Sequence, residues 1–313
     1  MPQSLPHSVC ELIDALRSDN VHGAAAVTKL AAEAIRVLAR EVPGAAAPPC
    51  SFPIADAARA LVFAQPAMAP ILNLVNTVLW RTDEAANPAE QADRAVAACD
   101  EFVKRMDSAG ERIALRALQL LTDGTVFITH SASETVLGAV CAARRSGRRL
   151  RAICTESRPA GEGIGLARKL AAEGIAVTLI SDGAMFHAMP DAAFAAVGAD
   201  AVSIDGVVNK MGTALLALAA KHYFRGFYVL CGTEKLVPAG HRLPREPCKP
   251  ASELLPEPAP GVTVRNLYFE TTPLDLVTAV ITEQGDLGPA DVRRKLAQGR
   301  IHPSLISRTD SAA

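Results

Sequence analysis

The feature that most constrains the fold is an alternation of short β-prone runs with helical runs, which begins after Asp123-Gly124. The predicted strands are 125–130, 149–156, 175–180, a short one within 192–204, 226–232 and 276–282. Stretches with helical spacing separate them, chiefly 134–145, 164–173 and 212–221. Strands that alternate with helices require right-handed crossovers, which predict a parallel, doubly wound sheet.

The region before this alternation is predicted to be helical. Apolar residues recur at helical spacing within residues 8–118, and the proline-rich stretch Val42–Pro53 interrupts them. We therefore expect an α/β protein with an N-terminal helical domain at 1–118 and a C-terminal Rossmann-like doubly wound parallel sheet at 119–313. The proline-rich segment 238–261 is predicted to be irregular, either a functional or oligomer-forming loop or a plain surface excursion.

Composition argues against several classes of function. The chain has 32 basic and 33 acidic residues, so it lacks the basic field that favours nucleic acid. No apolar run is long enough for a membrane span, and the N-terminus lacks the apolar core of a secretory signal. We expect a cytoplasmic protein that binds neither nucleic acid nor membrane directly.

The seven cysteines are scattered and form no CxxC pair, which is typical of reduced structural thiols. Neither Cys nor His shows the spacing of zinc ligands, so we predict no metal site. The run GEGIG at 161–165 lacks the GxGxxG pattern of a dinucleotide fingerprint. No cofactor is therefore expected.

Each of the first five predicted strands ends in a polar cluster. In an open parallel sheet, ligands bind beyond the carboxyl ends of the strands, so five such clusters predict one convergent pocket. The clusters are Thr129–Ser133, Thr155–Pro159, Ser181–Gly183, Gly198–Asp200 and Gly232–Lys235.

Several residues in these clusters suit a phosphate group. Arg158 precedes Pro159 and is expected to be extended at the strand end, where its guanidinium either grips phosphate or forms a surface salt bridge. Lys210 lies just before a helix that opens at Gly212, which resembles a phosphate cradle without Walker spacing. Ser131 and Ser133 precede another helix start, where each serves as a helix cap, an anion contact or both.

Asp200 is the candidate acid–base carboxylate. It follows a short apolar segment and lies between small residues, so we expect it to be partly buried. Burial without a neighbouring cation would raise its pKa and suit it to proton transfer. The alternative is a structural carboxylate that accepts backbone N–H bonds.

Five stretches of this sequence resemble the regulatory-subunit family of translation initiation factor 2B, whose fold is shared by methylthioribose-1-phosphate isomerase and ribose-1,5-bisphosphate isomerase. The resemblance covers the C-terminal two-thirds and, more weakly, the helical region. The stretches are ITHSASETVLGAV, CTESRPAGEG, VGADAVSIDGVVNKMGTALLALAAKH, FYVLCGTEK and DLVTAVITEQGDLGP.

The resemblance implies roles for individual residues. The isomerases convert an aldose 1-phosphate to a ketose 1-phosphate with a cysteine and an aspartate as catalytic groups. The aspartate is kept as Asp200, whereas the cysteine position is Ser131, and a hydroxyl is a poor proton shuttle at neutral pH. The positions that the resemblance implies for substrate or phosphate are Gly23, Ala24, Ser133, Arg158, Asn209, Lys210 and Lys235.

Two departures concern arginines that help to grip phosphate in the isomerases. Here His22 stands before Gly23, and Gln65-Pro66 replaces an arginine-proline pair. The turn before the Asn-Lys motif reads Asp205-Gly206 where the family has Asn-Gly.

Two functions stay open at this point. One is an isomerase of a pentose phosphate, in which Ser131 positions the substrate or a water and His130 or His187 assists. The other is a non-catalytic regulatory or sensor protein that binds a phosphosugar or nucleotide. A pure scaffold is disfavoured because Arg158, Lys210 and Lys235 would converge without a counter-ion. By resemblance we also expect a homodimer or higher homo-oligomer.

Overall fold

A computed structural model describes residues 5–18, 23–41, 53–244 and 246–306. The chain divides into two units, the first made of Met1–Ser108, Glu234–Pro244 and Ala297–Ala313 and the second of Ala109–Thr233 and Arg245–Leu296. His22, Cys50 and the predicted interruption at Val42–Pro53, apart from Pro53, lie outside the described residues.

The first unit is built from helices, as its apolar spacing predicts. They are α1 (His7–Ser18), α2 (Ala24–Glu41), α3 (Ile54–Ala64), α4 (Ala69–Thr82) and α5 (Pro88–Ala117), of which α5 crosses the boundary between the units. In α1, Val9, Ile13 and Leu16 share one face and are buried in the core of this unit. The buried residues Ile113 and Ala117 continue the helical spacing of α5 to its end, within the predicted helical region 8–118.

The second unit holds the predicted sheet. Its strands are β1 (Val126–Thr129), β2 (Arg151–Thr155), β3 (Ala176–Ile180), β4 (Phe194–Val197), β5 (Ala201–Ser203), β6 (Gly206–Lys210), β7 (Gly226–Leu230), β8 (Phe269–Thr272), β9 (Ala279–Thr282) and β10 (Gly285–Leu287). Seven of them form a sheet in the order β10-β9-β7-β4-β1-β2-β3, parallel except for β10. The Rossmann-like parallel sheet is confirmed.

The strand order fixes where a ligand would bind. The chain runs from β1 outward through β2 and β3, then returns to add β4, β7 and β9 on the other side. The order therefore reverses between β1 and β4, and ligands of open α/β sheets bind at such a switch point. The helices of this unit are α6 (Glu134–Arg145), α7 (Glu162–Ala172), α8 (Met185–Ala188), α9 (Thr213–His222) and α10 (Pro289–Gln298).

The strand predicted within 192–204 is present as β4, but the same stretch also forms β5, which lies in a different sheet. Strands β5, β6 and β8 make a separate antiparallel sheet, and β6 carries Asn209 and Lys210. The predicted turn at Asp205-Gly206 joins β5 to β6. Gly206 has φ +145°, and a Cβ there would lie 2.2 Å from the Thr272 carbonyl oxygen, so β8 can approach only a glycine. Sequence analysis did not predict β6, β8, β10 or α10.

The described residues of the segment 238–261, which exclude Arg245, are irregular apart from a 3₁₀ turn at Ala251–Glu253, as predicted. The six described cysteines are free thiols. Burial raises the pKa of Cys99 and of Cys154 to about 12, which makes both thiols unreactive. In the part of the chain that the structure describes, each helix is too short or too polar to cross a membrane.

Candidate functional site

The chain turns sharply where β1 and β2 end. Ser131 and Ser157 both adopt left-handed backbone conformations, with φ of +68° and +62°. The Ser131 N–H donates to Ser157 Oγ at 2.8 Å, so the two turns are joined. Left-handed backbone costs about 1–2 kcal/mol for a non-glycine residue, and such conformations cluster at functional sites.

A buried histidine organises these turns. His130 Nε2 lies 2.8 Å from the Met211 carbonyl oxygen, which can only accept, so Nε2 carries the proton. Nδ1 then accepts from the Thr155 hydroxyl at 2.6 Å, and Thr155 Oγ1 lies 3.1 Å from Ser157 Oγ. Burial lowers the pKa of His130, which agrees with this neutral tautomer. His130 therefore holds the site together, whereas His187 is exposed on α8.

Asp182 presents Arg158 to solvent. The Asp182 carboxylate follows β3 and accepts the backbone N–H groups of Ser157 at 2.8 Å and Arg158 at 2.7 Å. Arg158 lies in a turn beyond the end of β2, and its peptide bond to Pro159 is cis. The extended conformation expected for Arg158 stays a prediction. Its exposed guanidinium has no hydrogen bond or ion pair with any described residue.

Lys210 is buried and paired. Its side chain is 2% exposed, and Nζ lies 2.7 Å from Glu162 Oε1 and 4.3 Å from the centre of the Tyr268 ring. Glu162 Oε1 also accepts the Ser131 hydroxyl at 3.2 Å. Lys210 has a counter-ion, so the sequence argument that three cations converge without one is wrong for this residue.

Glu162 is the site residue that sequence analysis missed. It opens α7, and the residue after it, Gly163, lets the first turn of that helix lie against the end of β2. A Cβ on Gly163 would lie 2.0 Å from the Thr155 carbonyl oxygen. An acidic residue in the first turn of a helix that follows a strand end was the available signal.

The start of α9, predicted to cradle phosphate, is capped by the chain itself. The Glu270 carboxylate accepts the N–H groups of Gly212 at 2.7 Å and Ala214 at 2.9 Å. Gly212 has φ +109°, and a Cβ there would lie 2.9 Å from His130 Nε2. Asn209 is buried and donates to Thr213 Oγ1 at 3.0 Å, so its amide holds this turn.

The ends of β1 and β4 meet at the switch point. Ser133 caps α6, because its hydroxyl accepts the Val136 N–H at 3.3 Å. A Cβ on Gly198 would lie 2.5 Å from Ser133 Oγ, so the chain after β4 runs directly past this cap. Asp200 follows, half-buried as expected, and its N–H donates to the Val208 carbonyl at 2.9 Å.

Three of the predicted residues lie outside the second unit. Gly23 is exposed before α2, and Ala24 is buried and accepts the Thr28 hydroxyl at 2.6 Å. Lys235 ends a 3₁₀ turn at Thr233–Lys235. Their part in ligand binding stays a prediction. Over the described ranges, no group of three or more His, Cys, Asp or Glu side chains is placed to hold a metal ion.

This fold and edge define a class: doubly wound α/β proteins with a helical unit and polar side chains at the topological switch point. Residues 20–289 match the Initiation factor 2 subunit family, and the chain belongs to that family. The resemblance drawn from the sequence motifs is thereby confirmed.

Individual relatives carry different names. The crystal structure of translation initiation factor eIF-2B from Pyrococcus horikoshii superposes with a TM-score of 0.76 at 33% identity, covering 91% of this chain and 98% of that one. A ribose 1,5-bisphosphate isomerase of Archaeoglobus fulgidus is 31% identical over 90% of each chain. The tetrameric eIF2B-beta2-delta2 complex of Chaetomium thermophilum shares the fold, with a TM-score of 0.73 at 22% identity over 94% of this chain and 95% of that one.

Proposed function

We propose that this protein binds a small phosphorylated sugar or nucleotide at the carboxyl edge of β1, β2 and β4. The observation that carries the proposal is the exposed guanidinium of Arg158, which has no hydrogen bond or ion pair with a described residue, while Asp182 holds the backbone of Ser157 and Arg158 at this edge. Arginine binds phosphate through paired N–H donors, and a fixed backbone lowers the entropy lost on binding.

Thermal unfolding against pentose phosphates and nucleoside monophosphates tests this function. A ligand at a hundredfold its dissociation constant should stabilise the protein by about 2.7 kcal/mol. The shift should disappear in Arg158→Ala and persist in Arg151→Ala, a matched control because Arg151 is exposed at the opposite end of β2. The absence of a shift with every phosphorylated ligand, or an equal loss in both variants, would contradict the proposal.

A second candidate function is aldose–ketose isomerisation of the bound sugar phosphate. Asp200 favours it, because this carboxylate is half-buried next to the switch point. Ser131 opposes it, since its hydroxyl lacks the acidity of a thiol and already donates to Glu162. Binding without turnover is therefore the function that the geometry supports best.

NMR of mixtures with ribose 1-phosphate or ribose 1,5-bisphosphate separates the two functions. We expect no ketose product from the wild type and turnover from Ser131→Cys. Product from the wild type that is lost in Asp200→Asn would instead establish an isomerase.

We also propose that the chain associates with copies of itself through the apolar groove between α8 and α9. This groove of about 520 Å³ exposes Phe186, Leu215 and Leu218, and such patches commonly mark protein contacts. Light scattering should show an oligomer that Leu218→Glu dissociates. The control is Leu254→Glu, because Leu254 is 51% exposed and Leu218 50%.

A further inference from the structure

The ion pair of Glu162 and Lys210 limits which ligand groups can bind beside it. A lysine in a phosphate site normally offers an unpaired ammonium to the ligand. Here the Lys210 ammonium is 2.7 Å from Glu162 Oε1, while the Tyr268 ring covers another side. A phosphate placed on Lys210 would lie beside the Glu162 carboxylate, and like charges at that range repel strongly where water is scarce.

Among the described residues, the two ammonium groups that lie over the Tyr268 ring are both paired with carboxylates. Lys249 Nζ lies 5.2 Å from the Tyr268 ring centre but 3.7 Å from Glu246 Oε1. The Tyr268 hydroxyl donates to Glu253 at 2.7 Å, and burial raises the pKa of Tyr268 to about 12, so it stays a neutral donor. Both ammonium groups around this ring therefore face carboxylates.

Glu162 also lacks one hydrogen bond. Its Oε1 accepts from Lys210 and Ser131, but Oε2 is buried with no donor among the described residues. Buried carboxylate oxygens are nearly always satisfied, so this atom calls for a donor from outside the chain. A sugar hydroxyl is such a donor, and the Ser131 hydroxyl oxygen beside it has a free lone pair for a second one.

We propose that Glu162 determines specificity: with Ser131 and Lys210 it binds the uncharged, hydroxyl-bearing part of the ligand and excludes a second phosphate. This inference rests on the proposed function and assigns the single phosphate to Arg158. The sequence prediction gave Lys210 to the phosphate; here its charge serves instead to hold the Glu162 carboxylate in place.

Calorimetry with ribose 1-phosphate, ribose 5-phosphate and ribose 1,5-bisphosphate tests the inference. Whichever of the two monophosphates binds more tightly should bind the wild type with an affinity about tenfold or more higher than that of the bisphosphate. Glu162→Gln keeps the shape and removes the charge, so it should shift this ratio towards the bisphosphate by about tenfold. Glu134→Gln should leave the ratio unchanged, since Glu134 opens α6 and pairs with Lys169 at 2.6 Å but is exposed.

The outcomes separate this inference from the proposed function. Arg158-dependent binding of a monophosphate with an unchanged ratio in Glu162→Gln would overturn the inference alone. Failure of these probes and of the nucleoside monophosphates to bind the wild type would overturn both. The wild-type ratio needs no variant, so a bisphosphate that binds as tightly as the monophosphates refutes the inference even if Glu162→Gln does not fold.

Discussion

Two surfaces of the second unit differ in how their side chains are satisfied. At the carboxyl edge of the sheet, polar groups bond to one another, as in the chain from Ser131 through Ser157 and Thr155 to His130. Between α8 and α9, apolar side chains such as Leu218 stay exposed. Fixed polar groups suit a small ligand with few contacts, whereas an apolar face gains free energy only when a large area is covered. The two surfaces therefore carry the two proposals, ligand binding at the polar edge and self-association at the apolar groove.

The largest expected effect on stability comes from a substitution that disrupts the backbone packing at the polar edge. Gly163→Ala places a Cβ 2.0 Å from the Thr155 carbonyl oxygen and 2.7 Å from Ser157 Oγ. We expect a loss of about 3 kcal/mol in the free energy of unfolding, measured in urea. Gly165→Ala is the control, because nothing lies within 4 Å of that position in the same helix. Equal stability of the two variants would contradict the described packing.

The next largest loss of stability should come from removing the buried cation Lys210. Lys210→Met leaves the Glu162 carboxylate without its partner, and we expect a loss of about 2–3 kcal/mol, less than for a fully buried pair because Glu162 is partly exposed. The exposed pair of Lys169 and Glu134 offers the comparison: Lys169→Met should change stability by less than about 0.5 kcal/mol. Similar losses in both would mean that Lys210 is not desolvated in solution.

The polar edge should also respond to acid. Burial lowers the pKa of His130 from its ordinary 6.5. Below that pH, His130 is therefore protonated in the unfolded chain but stays neutral in the native site. Stability is therefore lost as pH falls below 6.5, by at most about 1.4 kcal/mol per pH unit from this residue. Urea unfolding at several pH values should show a shallower slope for His130→Asn. An unchanged slope would place the acid sensitivity elsewhere.

The smallest expected effect lies at Phe224, just beyond the end of α9. Phe224 is 97% exposed and has φ +54°, a conformation that favours glycine. Phe224→Gly should raise the free energy of unfolding by about 0.5 kcal/mol, since relief of strain slightly exceeds the added entropy of the unfolded chain. A lower thermal midpoint for the variant would show that Phe224 makes contacts in solution, which would sharpen the case for self-association.

Local patterns predicted much of this molecule. The helix at Glu134–Arg145 followed from its capping Ser133 and apolar spacing, and the parallel strands followed from their alternation with helices. The second sheet escaped prediction because β6 pairs with β8, far along the chain. For the same reason the Lys210 motif gave no sign of Glu162. Pairing across distance sets the charge of the site, and spacing within a motif does not encode it.

The cap on α9 has a consequence for the order of events during synthesis. Glu270 reaches back 58 residues to bond Gly212, so the helix leaves the ribosome long before the carboxylate that completes its first turn. Residues 126–155 can already form β1 and β2, but the Met211 carbonyl that accepts the hydrogen bond from His130 Nε2–H lies in the turn that this cap completes. The polar edge is thus completed only after Glu270 has been synthesised, well after the strands that form it.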